Sequence, residues 1–179
     1  MKIVALTTCT LLAVAPLAHA DSPYAGEERR AIKSLSEADI AALENGDGMG
    51  FAKLAELNSY PGPRHVLDLA AELDLSAAQL QETEALYEAM REDAVATGLQ
   101  LSDAEAALDR ACADRSVEPE TLQRALTTIG LLRARLRYVH LEAHLRQSDV
   151  LTDAQVARYD ELRGYGDGAQ DHSQHDGHH

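Results

Sequence analysis

The chain has no tryptophan and one phenylalanine, and aromatics make up only 4% of it. β-Branched residues are also few beside Ala, Leu, Glu and Arg. Strands are built from the side chains this sequence lacks, so the shortage argues for an all-α protein. Cysteine is nearly absent, with Cys9 and Cys112 the two examples. Basic residues are outnumbered: 16 Lys+Arg against 30 Asp+Glu give a formal charge of −14. Such a surface repels phosphates, which excludes nucleic acid as a partner. Catalytic signatures are missing as well. The sequence has no Gly-x-Ser-x-Gly elbow, no His-Glu-x-x-His and no phosphate-cradling glycine loop. In His140-Leu141-Glu142-Ala143-His144 the acid does not follow the first histidine, so a zinc-protease reading is disfavoured. The chain reads as non-enzymatic.

One long apolar run is present. Met1-Lys2 precedes Ile3 to Ala18, and Ala18-His19-Ala20 has the small-x-small pattern of a signal-peptidase site. The run is short against the ~20 residues of a spanning helix. Residues 1–20 therefore read as a cleaved secretory signal, with a retained anchor as the alternative. Cys9 leaves with that signal, so Cys112 has no intramolecular partner in an oxidising compartment. Cys112 continues the stripe Leu101, Ala104, Leu108, which predicts burial. The alternatives are an intermolecular disulfide and a metal or redox role.

The 179 residues suit one domain with tails. Residues 21–59 form a polar N-terminal segment with a short helix, 21–34 being read as loose and Asn45 to Gly50 as a flexible break. Tyr60-Pro61-Gly62-Pro63 is a second break, with Pro63 suited to the first turn of a helix over 63–73. Residues 60–165 form the helical domain, and 166–179 an apolar-poor tail expected to be disordered.

Leu75-Ser76-Ala77-Ala78-Gln79 and Leu151-Thr152-Asp153-Ala154-Gln155 are matching helix starts. In each, the hydroxyl accepts from the N–H three residues on, and the glutamine reaches back to the cap's own N–H. Leu35-Ser36-Glu37-Ala38-Asp39 is a weaker copy. From Leu80, apolar and small residues recur at steps of 3 and 4 through Thr83, Tyr87, Met90, Ala94, Thr97, Leu101, Ala104 and Leu108 to Ala111. That predicts one long helix running through Gly98 and Ser102. After Pro119 a second stripe, Leu122, Ala125, Ile129, Leu132, Leu136, Val139 and Ala143, predicts another. The short linker predicts an antiparallel hairpin. Residues 76–111 hold eight acids and two arginines, whereas 119–148 hold five arginines and two acids, which favours the pairing. Leu131, Tyr138, Leu141 and Leu145 lie on the opposite side of the second helix. They predict a homodimer seam or a surface for unfolded clients.

Histidine carries the chemistry. His140 and His144, one turn apart, can turn both rings toward one ion. The alternative is a hydrogen-bonded structural role. His65, with Asp68 and Glu72 on the same face, is a further candidate ligand, or part of a solvated polar face. His172, His175, His178 and His179, among Asp171 and Asp176, form a metal-friendly tail. Capture there should be weak, because ordering the tail costs entropy, and should fail below pH ~6.

On the residues Leu151-Thr152-Asp153-Ala154-Gln155, the variant Leu75 to Gln79 and the ending Arg158 to Tyr165, the chain resembles the Spy/CpxP-like periplasmic LTxxQ family, which includes CnrX-type heavy-metal sensors. The resemblance spans roughly residues 60–165. It implies a hooked protomer of four to five helices that forms a cradle-like homodimer in the periplasm. It also implies one of two roles. The first is binding or sensing a divalent transition metal (Zn, Cu, Ni or Co) in heavy-metal resistance or envelope stress, read out by a membrane-bound sensor or an anti-sigma protein. The second is ATP-independent protection of unfolded periplasmic proteins.

Overall fold

The computed structural model describes residues 22–165. Among them there is no strand, and 71% of the residues are helical, so the fold is all-α. The elements are α1 (Glu37–Asn45), α2 (Lys53–Glu56), α3 (Pro63–Asp68), α4 (Ala77–Ala113), α5 (Pro119–Val150) and α6 (Asp153–Arg163). Four to five helices were expected, and six are found among the described residues. The one-turn α2 lacks the length for a periodic signal. The first helical turns of the 63–73 segment do form α3 behind Pro63, but the chain then loops through Asp74, which takes a left-handed φ of 49°. No helix of the described residues is long and apolar enough to cross a membrane. The signal-peptide reading falls outside the described residues.

Three helix starts carry full capping boxes, at Ser36, Ser76 and Thr152. Each satisfies two backbone donors that would otherwise lack partners. Two of them do more. Gln79 Nε2 donates to Gln155 Oε1 at 2.8 Å and to the Val150 carbonyl at 3.0 Å. Gln155 Nε2 donates to the Leu73 carbonyl at 3.1 Å and to Gln79 Oε1 at 3.2 Å. The two glutamines thus clasp amide to amide and join the starts of α4 and α6. The sequence shows the caps, but their mutual approach is a tertiary fact.

Helix α4 runs unbroken through Gly98 and Ser102. It lies along α5, with Gln147 donating to Thr83 at 3.1 Å, Arg135 facing Asp93 at 3.7 Å and Arg133 bound to Glu105 at 2.7 Å. Their main core holds Ala94, Leu101, Ile129, Leu136 and Val139, and is closed by Leu35 and Leu43 from the N-terminal side. A second core gathers Val66, Leu73, Leu151 and Tyr159 under α6.

Two expectations are corrected here. Residues 21–34 were read as loose, yet the last three of them are tied down. Ile32 packs on the main core, Lys33 pairs with Asp109 at 3.1 Å, and Ser34 donates to Glu105 at 2.8 Å. The acids of α4 offered these partners, and no periodic pattern reports such contacts. Cys112 was expected to be buried and is exposed. Its stripe is the right one, but it sits beyond Leu108, the last α4 residue packed on the core. At that end a cavity of about 300 Å³ separates Ala107 and Ala111 from Leu122 and Ala125.

On the far side of α5, Leu131, Tyr138 and Leu145 are at least half exposed, and Leu141 is half-buried.

Candidate functional site

The candidate histidines meet where two breaks in the chain converge on α5. Helix α1 ends at Gly46, whose φ of 71° is the left-handed conformation of a C-cap. The following turn carries Asp47, and the Tyr60 to Pro63 break runs alongside. The stripe of α5 points His140 and His144 inward from adjacent turns. Together Asp47, Gly62, His65, Tyr87, Met90, His140 and His144 line a cavity of about 200 Å³. The three histidines singled out from the sequence in the described residues therefore share one wall-to-wall space. His172, His175, His178 and His179 fall outside the described residues.

His140 is 3% exposed and His144 is 8% exposed. Arg133 does not crowd the pair, because it is drawn to Glu105. The His144 Nδ1 lies 2.8 Å from the Tyr60 carbonyl oxygen, which can only accept. Nδ1 must then carry the proton, and Nε2 of the neutral ring keeps its lone pair. An orienting carbonyl of this kind is the usual support of a ligating imidazole. Gly62 makes room for the ring. A Cβ there would stand 2.8 Å from His144 Cε1 and 3.0 Å from Nε2. His140 stacks on Phe51, with centroids 5.9 Å apart and planes 15° from parallel. Its Nε2 is buried and has no hydrogen-bond partner.

A carboxylate that sequence reasoning missed stands behind His144. Glu56 Oε1 accepts from Tyr159 Oη at 2.6 Å, Arg163 Nε at 3.1 Å and Tyr165 Oη at 3.2 Å. Its Oε2 is buried without a hydrogen-bond partner, 3.8 Å from His144 Nδ1. Nothing local distinguishes Glu56 among 30 acids. Only the packing of α2 against α5 and α6 selects it. Of the residues grouped with His65, Asp68 is 3.8 Å from its ring, and both side chains are substantially exposed. Glu72 lies beyond the end of α3.

The donor chemistry suits a borderline divalent ion: neutral imidazoles, the thioether of Met90 nearby, and a buried carboxylate. Among the described residues no group of three or more His, Cys, Asp or Glu side chains is drawn together tightly enough to cage an ion as they stand. The cavity wall carries His65, Met90, His140 and His144 together with the cationic Arg64, whereas Glu56 stands behind His144 and outside the lining.

Burial pushes both imidazoles below their ordinary range. For His140 desolvation acts first and the neighbouring His144 second, with Asp47 opposing. For His144 desolvation outweighs the Tyr60 and Glu56 contacts. Both rings are then neutral at pH 7 and ready to ligate. A base with a lowered folded-state pKa binds fewer protons folded than unfolded. Its contribution is complete above the unfolded imidazole value, ~6.5, and is lost as pH falls from there through the lowered folded value. The unfolding midpoint should therefore drop between pH 7 and pH 5 more steeply in the parent than in His140→Asn. Identical slopes would show that His140 is not buried in solution.

No known protein family, curated protein or solved structure matches the chain.

Proposed function

We propose that this chain is an exported, non-enzymatic protein that binds a divalent transition ion (Zn, Cu, Ni or Co) through His140 and His144, with His65 or Met90 completing the set. The supporting observation is the shared cavity: two buried imidazoles one turn apart, one held by the Tyr60 carbonyl with its Nε2 free, the other with an unpartnered Nε2. His140 and His144, with His65 or Met90, would hold such an ion, which would supply Lewis acidity there. The protein's own groups do the positioning. Tyr60 fixes the ring tautomer and Gly62 leaves space for the ring, while Glu56, paired with Arg163, stands behind His144.

The same reading takes α4 and α5 as an antiparallel hairpin, since their contacts pair Thr83 with Gln147 and Glu105 with Arg133. It takes the hooked protomer as half of a cradle-like homodimer in the periplasm, serving heavy-metal resistance or envelope stress through a membrane-bound sensor or anti-sigma protein. The histidine tail at His172, His175, His178 and His179 serves as a weaker collector.

The test titrates Zn, Cu, Ni and Co by calorimetry into the chain ending at Tyr165, in parent and His140→Ala/His144→Ala forms. Loss of one ligand's support alone costs 10–100-fold in affinity, so removing two ligands should weaken the preferred ion at least ~100-fold. Equal affinity in both proteins would remove the site. A second reading, a chaperone for unfolded clients, is favoured by the exposed row Leu131, Tyr138 and Leu145. It expects Leu145→Glu to abolish suppression of aggregation with the helical content unchanged. A parent protein that suppresses no aggregation at all would eliminate it.

A further inference from the structure

Beside Phe51 lies a third cavity, of about 380 Å³, that shares no lining residue with the histidine cavity. Met49, Phe51, Leu54 and Leu57 supply its apolar lining, and Lys53 and Arg137 its charge. We propose that this cavity binds an amphipathic carboxylate, a short aliphatic chain with a single anionic head.

Three observations carry the proposal. The first is exposed apolar surface. Leu54 is 59% exposed, Leu57 56% and Met49 41%, all lining one concavity. An aliphatic chain laid in the concavity would cover these three side chains at once. The second is charge. Lys53 and Arg137 are exposed and form no ion pair and no side-chain hydrogen bond among the described residues. A neutral apolar ligand would cover these cations without pairing them. A bare inorganic anion would pair these cations and leave the apolar wall uncovered. A carboxylate on an aliphatic chain satisfies both walls.

The third observation is preorganisation. Phe51 is held by its stacking on His140. Its ring stands ready with little ordering cost. The volume falls within the ~300–1,000 Å³ of small-molecule sites.

The experiment is calorimetric titration of the purified protein with decanoate below its micelle concentration, with decylamine as the sign-reversed probe. Decanoate should bind in the micromolar to millimolar range, and decylamine at least tenfold more weakly. Lys53→Gln/Arg137→Gln should weaken decanoate at least tenfold with the circular dichroism unchanged. Leu54→Glu, which spoils the apolar wall and keeps both cations, should do the same. The proposal falls if decanoate produces no binding heat up to millimolar concentration, if decylamine binds as well, or if either variant binds decanoate like the parent.

Discussion

Tyr159→Ala is expected to lower the unfolding midpoint by roughly 10 °C, the largest single-residue effect in the molecule. Tyr159 is fully buried in the core formed with Val66, Leu73 and Leu151. Truncating a buried aromatic costs about 3–5 kcal/mol, and a domain of this size loses about 2–4 °C per kcal/mol. The hydroxyl adds a polar part to that loss. It donates to Glu56 at 2.6 Å and accepts from the Gly62 N–H at 3.4 Å, so α6 is tied to the segment beside His144. Tyr159→Phe keeps the ring and should lose only ~1–3 kcal/mol. Burial first, then the Glu56 carboxylate, push the Tyr159 phenol far above its ordinary range. An acid whose pKa rises on folding holds its proton longer folded than unfolded. Stability should therefore decline once pH passes ~10, and less so in Tyr159→Phe. Thermal melts of the three proteins at pH 7 and pH 10.5 check both statements. A Tyr159→Ala protein that melts with the parent would mean α6 is not docked.

The second large effect reverses an ordinary rule. Glycine inside a helix is destabilising relative to alanine by about 1 kcal/mol. Gly130 of α5 follows the rule, since a Cβ there meets nothing within 4 Å. Gly130→Ala should raise stability by ~0.5–1 kcal/mol. Gly98 of α4 should do the opposite. Its Cβ would stand 2.6 Å from the Leu43 carbonyl oxygen, and Leu43 is 2% exposed. The obstacle is backbone, so α1 must move as a body. A net loss of about 2 kcal/mol or more is expected, against the intrinsic gain. Hydrogen exchange of α1 amides locates the damage: it should accelerate in Gly98→Ala and stay unchanged in Gly130→Ala. Stabilisation by Gly98→Ala would show that α1 does not rest on α4.

Much of the arrangement was legible in the chain because its cues are local. The capping boxes at Ser76 and Thr152 announce where α4 and α6 begin. The 3-and-4 spacing names the buried faces, including Ala94, Leu101, Ile129 and Leu136. His140 and His144 were visible as a pair because one helical turn separates them. What misled was also local reasoning carried too far. Cys112 lies on its stripe, but burial needs a neighbouring element, and none packs beyond Leu108. The segment before Leu35 looks loose because ion pairs such as Lys33 with Asp109 have no sequence period.

Residue order alone settled that the protein is helical, where every helix but the one-turn α2 starts, and that two imidazoles share one face, since hydrogen bonds and side-chain period act over a few residues. Tertiary structure decided the rest. It brought Glu56, Tyr60 and Gly62 against His144, placed His65 and Met90 on the cavity that His140 lines, and clasped Gln79 to Gln155. These groups lie tens of residues apart, and only the burial of apolar faces on α4, α5 and α6 sets the angles at which they meet.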